Sequence, residues 1–360
     1  MLLSEIHTIK IAGMAVALPS QQIPVDHYNA VFGEEVVSKF SEMTGVKSVC
    51  RCLPEQTASD LGYEAAKDLF SKSTVSKEAI GVLVFVSQKP DYRMPSTAFV
   101  LHKRLGLSQD CLVFDLNLAC SGFLYGLQTV ASLLSQSSST HALLITADTS
   151  VKSLAPEDRT MIMLFGDSGS ATLLEKSETA VPIRMGMRTD GNRFKSIITP
   201  SGAYRNRFAP TERVLWSDDI SRSEYDTHMK GMDVFGFSIT DVPKLLKEFM
   251  EETQTTPDSF DFFALHQANI YILKQLSRKL KIPFEKIPIS LDRYGNNSSN
   301  SVPLVLSDHY GAITSGSFRT LMAGFGAGLS WACCDITIDY AAIFPPITTD
   351  NYYKEAPSLQ

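Results

Sequence analysis

The chain has 360 residues, a net charge of −6, 44% hydrophobic residues and 20% charged residues. This length exceeds that of a usual single core and predicts two domains or two halves of one large unit. The acidic balance gives no reason to expect a nucleic acid as partner. No stretch approaches the ~20 apolar residues of a membrane span, and residues 1–10 lack the apolar centre of a secretory signal. We therefore expect a cytoplasmic protein with reduced cysteines and no membrane association.

Strand-like and helix-like segments alternate in the first half of the chain. Strands are predicted at residues 80–86, 111–116, 142–147 and 170–174, and helices at 97–105 and 123–134. Such alternation is typical of parallel or mixed sheets that are covered by helices, which is an α/β fold.

The second half repeats this alternation. A helix is predicted at 242–253, a strand at 260–265, a helix at 268–280, and strands at 318–323 and 329–340. We therefore predict two similar halves, at residues 1–184 and 185–343. Residues 185–231 are irregular and are expected to form loops around a site entrance. Residues 344–360 lack apolar periodicity and are expected to form a surface tail.

Cys120 stands at a predicted strand-to-helix junction. Unpaired N–H groups and the helix dipole favour a thiolate at such a position. Gly122 leaves the backbone beside the sulfur uncrowded, which suits a nucleophile that attacks a bulky acyl thioester. A lone cysteine is more commonly a buried structural residue, so a catalytic role requires partners elsewhere in the chain.

Three features of the second half match the needs of Cys120. His266 lies between a predicted strand and a predicted helix, and equivalent strand ends can meet in a repeated α/β architecture. The polar segment 294–300 contains a glycine and by itself indicates only a turn. Segment 324–328 is rich in glycine, so its backbone N–H groups can point into a cavity and hold a thioester oxyanion. The same segment is weak evidence for nucleotide binding, because no phosphate-binding strand and helix accompany it.

Two other pairs of cysteines do not indicate a metal site. Cys50 and Cys52 are separated by one residue, and Cys333 is adjacent to Cys334. Neither pair has the repeated two-residue gap of a structural zinc site. We expect no bound metal, and packing roles for Cys333 and Cys334 in a late strand.

Together, these motifs resemble those of the β-ketoacyl-acyl carrier protein synthase III family of the thiolase-like superfamily. The matching segments occur in family order and span nearly the whole chain; they are Ala119-Cys120-Ser121-Gly122-Phe123, Phe165-Gly166-Asp167-Ser168-Gly169-Ser170-Ala171, His266-Gln267-Ala268-Asn269, Tyr294-Gly295-Asn296 and Gly324-Phe325-Gly326-Ala327-Gly328. The resemblance implies a five-layered αβαβα fold of two similar halves and usually a homodimer. It also implies a Cys-His-Asn triad of Cys120, His266 and Asn296, with the next residue, Asn297, as the weaker candidate.

The resemblance further implies a reaction. Cys120 would accept an acyl group from a thioester, and a malonyl-acyl carrier protein would lose CO₂ and attack that group to give a 3-oxoacyl thioester. His266 and Asn296 would donate N–H groups to the enolate oxygen, while the backbone N–H groups of Cys120 and Ala327 would form the oxyanion hole. Acyl-CoA or acyl-carrier-protein thioesters are the substrates, and no cofactor is implied. The residues assigned to substrate binding are Met94, Phe325 and Gly326.

Several positions depart from the family pattern. Lys39 and Met43 stand where a Trp and an Arg commonly hold the adenine of coenzyme A, and Tyr271 stands where an Arg commonly contacts the pantetheine or the carrier protein. Met94 replaces a common Phe that closes the acyl pocket of the partner subunit, and its flexible side chain admits a longer or unusual primer. We therefore expect a primer other than simple acetyl-CoA, delivered on a carrier protein.

A basic cluster lies on the predicted helix that follows His266. It is interpreted either as a docking surface for an acidic acyl carrier protein or as a solvated helix face. Its members are Lys274, Arg278 and Lys279.

Two other functions remain open from the sequence. The first is acyl transfer from Cys120 to an oxygen or nitrogen acceptor without decarboxylation; Asn296 speaks against it, since plain acyl transfer needs no enolate stabilisation. The second is a non-catalytic subunit of a heterodimer, which the intact triad disfavours. The sequence leaves open whether the pathway makes a fatty acid, a polyketide or another specialised lipid.

Overall fold

The computed structural model describes residues 1–354. Within that range the strands are β1 (Leu2–Ile6), β2 (Ile9–Pro19), β3 (Gln21–Pro24), β4 (Ser48–Arg51), β5 (Ile80–Val86), β6 (Leu112–Leu116), β7 (His141–Asp148), β8 (Ser168–Lys176), β9 (Ile183–Thr189), β10 (Ile197–Ile198), β11 (Val214–Leu215), β12 (Ser221–Arg222), β13 (His228–Met229), β14 (Phe262–Leu265), β15 (Ser317–Gly326), β16 (Ser330–Asp339) and β17 (Ile347–Thr349). The α-helices in the same range are α1 (Asn29–Phe32), α2 (Glu34–Thr44), α3 (Ala58–Lys72), α4 (Thr97–Leu105), α5 (Gly122–Gln136), α6 (Gly231–Glu252), α7 (Ile270–Leu280), α8 (Leu291–Tyr294) and α9 (Ser301–Tyr310).

Two large mixed sheets form the frame. The six-stranded sheet has the order β17-β2-β8-β7-β5-β6, and β5 pairs in parallel with both β6 and β7. The five-stranded sheet has the order β1-β9-β16-β15-β14, in which β14 and β15 are parallel. The all-apolar β5 is buried along its whole length, as expected for a central strand with both faces covered.

Helices separate and cover the two sheets. Apolar residues of α5 and α9 form one core with strands of both sheets, so these two helices lie between the sheets. A second core packs α3 and α4 on the outer face of the six-stranded sheet, and a third packs α6 and α7 on the outer face of the five-stranded sheet. This arrangement confirms the predicted five-layered αβαβα fold.

Within residues 1–354, the first and the last strand each lie in the sheet that is formed mainly by the opposite half of the chain. β1 pairs with β9 at the edge of the five-stranded sheet, and β17 pairs in parallel with β2 at the edge of the six-stranded sheet. The predicted surface tail is therefore partly a strand, because backbone pairing with β2 orders a segment that has little apolar periodicity of its own. Residues 355–360 of the predicted tail lie outside the described residues. The boundaries at residues 184 and 343 stay predictions.

Three segments differ from the sequence-based prediction by more than a few residues or in type. The segment predicted to be irregular contains β9, which is ordered by pairing with β1 on one side and β16 on the other. α6 begins at Gly231, eleven residues before its predicted start, because Phe235 and Phe237 extend its packing on the core. The glycine-rich segment is also mostly strand, since β15 continues to Gly326.

Candidate active site

Cys120 lies between the end of β6 and the first turn of α5. Two glycines make room for it. A Cβ atom on Gly326 would lie 2.7 Å from the Cβ of Cys120 and 3.1 Å from its sulfur. A Cβ atom on Gly122 would lie 2.6 Å from a methyl group of Val86, so a side chain there would push α5 away from β5. These glycines hold the sulfur at the junction of α5, β5 and β15.

The thiol of Cys120 is protonated at neutral pH. Burial raises its pKa from the ordinary 9.0 to about 12, with a further contribution from the negative charge of Asp148. Hydrogen bonds from Ser298 and from the backbone of Cys120 oppose this rise. The start of a helix contributes at most about 2 kcal/mol. The expectation that the helix start yields a thiolate is therefore wrong for the free protein, because desolvation dominates.

His266 follows β14 and is 98% buried, with a relative exposure of 2%. Its backbone N–H donates to the carbonyl of Ala323 over 2.7 Å, and its Nδ1 lies 3.0 Å from the hydroxyl oxygen of Ser301. The ring meets Phe325 edge to face at 5.2 Å. Burial lowers the pKa of His266 to about 3. The imidazole is therefore neutral and has one N–H donor and one acceptor nitrogen.

Asn296 is placed by a tight loop after α8. Gly295 has φ of +72°, a left-handed conformation that suits glycine, and the backbone of Asn296 bonds with Leu164 and Gly166. Its side-chain Oδ1 accepts the N–H of Ser298 over 3.0 Å. Since that bond uses the oxygen, the Nδ2 amide remains as a donor.

The side chain of the neighbouring Asn297 stabilises the loop. Its amide nitrogen donates to the carbonyl oxygens of Tyr294 and Gly295, at 2.9 and 3.1 Å, which closes the loop. Asn297 lines neither of the cavities at the site. This geometry favours Asn296 over Asn297 as the active-site amide.

Ser298 connects the groups around the thiol. The thiol of Cys120 donates to the Ser298 hydroxyl over 3.8 Å, and that hydroxyl also bonds with Asp148. The backbone of Ser298 bonds with the side chains of His266 and Asn296. Sequence reasoning missed Asp148, although it stands at the end of β7, beside the ends of β5 and β6, where the sheet geometry brings functional side chains together.

An outer cavity of about 450 Å³ leads to Cys120. Cys120, His266 and Asn296 all line it, together with Phe325 and Gly326. Most of its remaining wall is apolar, and this part was not predicted from the sequence; it includes Leu164, Phe165, Ile197, Met229, Val234, Phe235 and Ile272. Lys39 and Met43 of α2 also line this cavity, and both are exposed at its mouth.

A smaller inner cavity of about 60 Å³ meets the outer one at Cys120. Ala327 lines the inner cavity, beside the sulfur. Asp148, Lys89 and Ser298 also line it. Cys120 therefore stands where a wide apolar cavity and a narrow, partly polar cavity join.

Other predicted residues lie away from the thiol. Met94 is 86% exposed and lines neither cavity of its own chain, so its contact with the site of a second copy stays a prediction. Lys274, Arg278 and Lys279 are exposed on α7, and the ammonium of Lys279 donates to the carbonyl of Ile239. Their role in docking also stays a prediction.

Within residues 1–354, no helix is both long enough and apolar enough to cross a bilayer. The same residues contain no group of three or more His, Cys, Asp or Glu side chains that could hold a metal ion. Cys333 and Cys334 are buried in β16, in agreement with a packing role.

Comparison with known proteins adds an independent line of observation. The family model described as 3-Oxoacyl-[acyl-carrier-protein (ACP)] synthase III matches residues 114–191, and the model of its C terminal matches residues 250–338. The chain is 35% identical over 282 residues to the Beta-ketoacyl-[acyl-carrier-protein] synthase III of Streptococcus suis (strain 05ZYH33), covering 77% of this chain and 83% of the relative. It is 32% identical over 331 residues to a Putative 3-oxoacyl-[acyl-carrier-protein] synthase 3 of Campylobacter jejuni, covering 89% and 92%.

A solved structure shows the same similarity in three dimensions. The 3-oxoacyl-(acyl-carrier protein) synthase of Burkholderia xenovorans superimposes with a TM-score of 0.90 at 31% identity, covering 97% of this chain and 99% of that chain. The fold and the site thus define an enzyme of the thiolase-like class. The chain belongs to the β-ketoacyl-acyl carrier protein synthase III family.

Proposed function

We propose that this enzyme condenses an acyl group held on Cys120 with malonyl-acyl carrier protein to give CO₂ and a 3-oxoacyl thioester. The observation that carries the proposal is that Cys120, His266 and Asn296 line one cavity, together with the glycine-containing end of β15. The names of the relatives agree with this reaction.

The first step is acyl transfer to the thiol. The sulfur of Cys120 forms a bond to the acyl carbon while the bond from that carbon to the donor sulfur breaks, and the proton of the thiol ends on the departing thiol. Because the pKa of Cys120 is raised, the proton must leave as the sulfur attacks. Ser298 accepts the S–H hydrogen bond, so its hydroxyl is the first group that can receive this proton.

The second step is decarboxylation of the malonyl group. Breaking its bond to CO₂ leaves an enolate, whose oxygen needs hydrogen-bond donors. Asn296 offers its Nδ2 amide. The neutral ring of His266 carries one N–H, and in the tautomer with that proton on Nε2 the ring is the second donor.

Carbon–carbon bond formation completes the cycle. The enolate carbon attacks the acyl carbon on Cys120, the bond from that carbon to the sulfur breaks, and the sulfur takes up one proton from solvent, which balances the carboxylate charge lost with CO₂. Charge on the acyl oxygen would be held by the backbone N–H groups of Cys120 and Ala327, the two residues that flank the inner cavity. None of the three steps requires a metal or another cofactor in this proposal.

The mouth of the outer cavity supports a carrier protein as donor. Lys39 and Met43 line it in place of the aromatic ring and planar cation that would hold adenine, and the exposed Met43 offers an apolar contact instead. The first turn of α7 lines the same cavity, and the exposed face of α7 carries Lys274 and Arg278, which suit an acidic partner.

A homodimer is part of this proposal. β6 pairs only with β5 within the described residues, which leaves one edge of the six-stranded sheet open to a second copy. Leu112 on this strand is 51% exposed, and Met94 is exposed on the loop between β5 and α4. Light scattering at micromolar concentration should give a mass near twice 39.7 kDa.

The reaction is tested with carboxyl-labelled malonyl-acyl carrier protein and a panel of acyl donors. We expect labelled CO₂ and a 3-oxoacyl carrier protein in equal amounts from the wild type, and no 3-oxoacyl carrier protein from Cys120→Ala. An acyl group that passes from Cys120 to an oxygen or nitrogen acceptor while all label stays in the malonyl group would contradict the proposal and support acyl transfer.

A further inference from the structure

The inner cavity has a polar wall that the steps above do not use. Lys89 follows β5, Asp148 ends β7, and Ser150 lies two residues beyond it; all three line the cavity beside Cys120. The opposite wall is apolar and includes Leu154, Met161 and Phe165. A group in this cavity would therefore meet hydrogen-bonding atoms on one side and hydrocarbon on the other.

One oxygen of Asp148 is without a partner. The residue has a relative exposure of 2%, and its Oδ2 atom forms no hydrogen bond within the described part of the chain. The carboxyl group does bond with the Ser298 side chain and the Ser299 backbone, which fixes its orientation. A buried carboxylate oxygen of this kind is costly to leave unpaired, and a bound group that donates a hydrogen bond would satisfy it.

Lys89 supplies the complementary donor. Its ammonium interacts electrostatically with Asp148, and burial lowers its pKa. An ammonium has three N–H donors and no acceptor. Since the two charges offset each other, the polar wall is close to neutral overall and presents a donor beside an acceptor.

This pair selects among the chemical classes of acyl group. A carboxylate at the end of the acyl chain would place two negative charges beside the single ammonium of Lys89 and leave a net buried charge, while an alkyl chain would leave both polar groups unsatisfied. A hydroxyl can donate to the free oxygen of Asp148 and accept from Lys89 at the same time. The opposite, apolar wall fits the carbon atoms that carry this hydroxyl.

The volume of the inner cavity limits the length of the acyl chain. About 10–15 Å³ of such space holds one water-sized atom, so 60 Å³ holds roughly four to six. A four-carbon acyl group with one hydroxyl has four non-hydrogen atoms beyond its carbonyl group. A long fatty chain does not fit in this cavity.

We propose that the inner cavity binds a short primer acyl group that carries a hydroxyl, such as a 3-hydroxybutyryl group on Cys120. This inference rests on the proposed function, because it names the class of primer that Cys120 holds. It narrows the expected primer, one other than acetyl, to a polar acyl group of about four carbons.

The test measures how fast Cys120 is loaded, by intact mass. The donors are the N-acetylcysteamine thioesters of both enantiomers of 3-hydroxybutyrate, of butyrate and of succinate, which share one leaving group and need no carrier protein. We expect one hydroxybutyryl enantiomer to load at least about tenfold faster than butyryl, and succinyl to load most slowly. Butyryl or succinyl loading as fast as the better enantiomer would overturn the proposal.

Lys89→Met sharpens the test. This substitution removes the donor while keeping a chain of similar length, so we expect the ratio of hydroxybutyryl to butyryl loading to fall to about twofold or less. Lys247→Met, on the exposed face of α6, should keep the full preference. A full preference in Lys89→Met would contradict the role of Lys89, and the wild-type ratio remains decisive if that variant does not fold.

The two proposals can fail separately. If labelled CO₂ is released after butyryl loading without any preference for a hydroxyl, the condensation stands and the hydroxyl inference is wrong. If hydroxybutyryl loads preferentially and no loaded acyl group leads to CO₂ release, the inference about the cavity stands and the proposed condensation is wrong.

Discussion

The outer and inner cavities meet at Cys120 and differ in volume and in the polarity of their walls. The outer cavity is about 450 Å³, mainly apolar, and contains His266 and Asn296. The inner cavity is about 60 Å³ and has Lys89 and Asp148 on its wall. In the proposals above, the two half-reactions lie on different sides of Cys120: donors and malonyl chemistry on the outer side, and selection of the acyl group on the inner side.

Cys120 is the one catalytic group of the proposal that both cavities share, so its removal should have the largest effect. We expect Cys120→Ala to abolish the acyl adduct and to lower condensation at least about 1000-fold, because no nucleophile remains. Intact mass of the enzyme and the amount of 3-oxoacyl carrier protein measure the two effects. Cys111→Ala, at the start of β6, should load and condense like the wild type; an acyl adduct on Cys120→Ala would contradict the assignment.

Asn296 lines the outer cavity alone, and its loss should separate the half-reactions. We expect Asn296→Ala to lower condensation about 100- to 1000-fold, as for the loss of one oxyanion donor. Loading of Cys120 should stay within about threefold of wild type in single-turnover mass measurements. An equal loss of loading and condensation would indicate that the loop, and not the donor, is the cause.

The pH dependence of Cys120 reactivity tests whether burial outweighs the helix start in setting the pKa of the thiol. Because burial raises the pKa of Cys120 to about 12, the thiolate fraction should grow about tenfold per pH unit between pH 7 and 9. The rate of iodoacetamide alkylation at Cys120, located by peptide mass, should therefore rise about 100-fold over this range. A plateau below pH 8 would show that the helix start outweighs desolvation.

Substitutions on α7, near the mouth of the outer cavity, should have the smallest effect on the reaction. We expect the double substitution Lys274→Glu and Arg278→Glu to raise KM for malonyl-acyl carrier protein about five- to tenfold, through repulsion of an acidic partner. Loading from a small N-acetylcysteamine thioester should be unchanged. Lys103→Glu, exposed on α4 at the opposite outer layer, is the matched control; an equal rise in KM there would exclude a docking role for α7.

Much of the frame could be predicted because local patterns decide it. The apolar run at 80–86 and the periodic segment at 97–105 coincide with β5 and α4. Both segments carry the information for their structure in their own residues. By contrast, β9 and β17 depend on pairing with distant strands, which no local pattern reports.

The outer cavity was also more predictable than the inner one. Cys120, His266 and Asn296 stand in recognisable motifs, and the structure brings all three to one wall. Lys89 and Asp148 stand in no such motif, and their proximity follows from the parallel pairing of β5 with β7, which are distant in sequence. The raised pKa of Cys120 was missed for a similar reason, since burial is a tertiary property.

The central claim is that an acyl group on Cys120 is consumed by condensation. The most direct measurement isolates acylated enzyme, adds carboxyl-labelled malonyl-acyl carrier protein in a single turnover, and follows the adduct, the CO₂ and the carrier protein together. The account predicts that the adduct disappears at the rate at which labelled CO₂ and a 3-oxoacyl carrier protein appear. Loss of the adduct by hydrolysis or transfer, with the malonyl label intact, would contradict it.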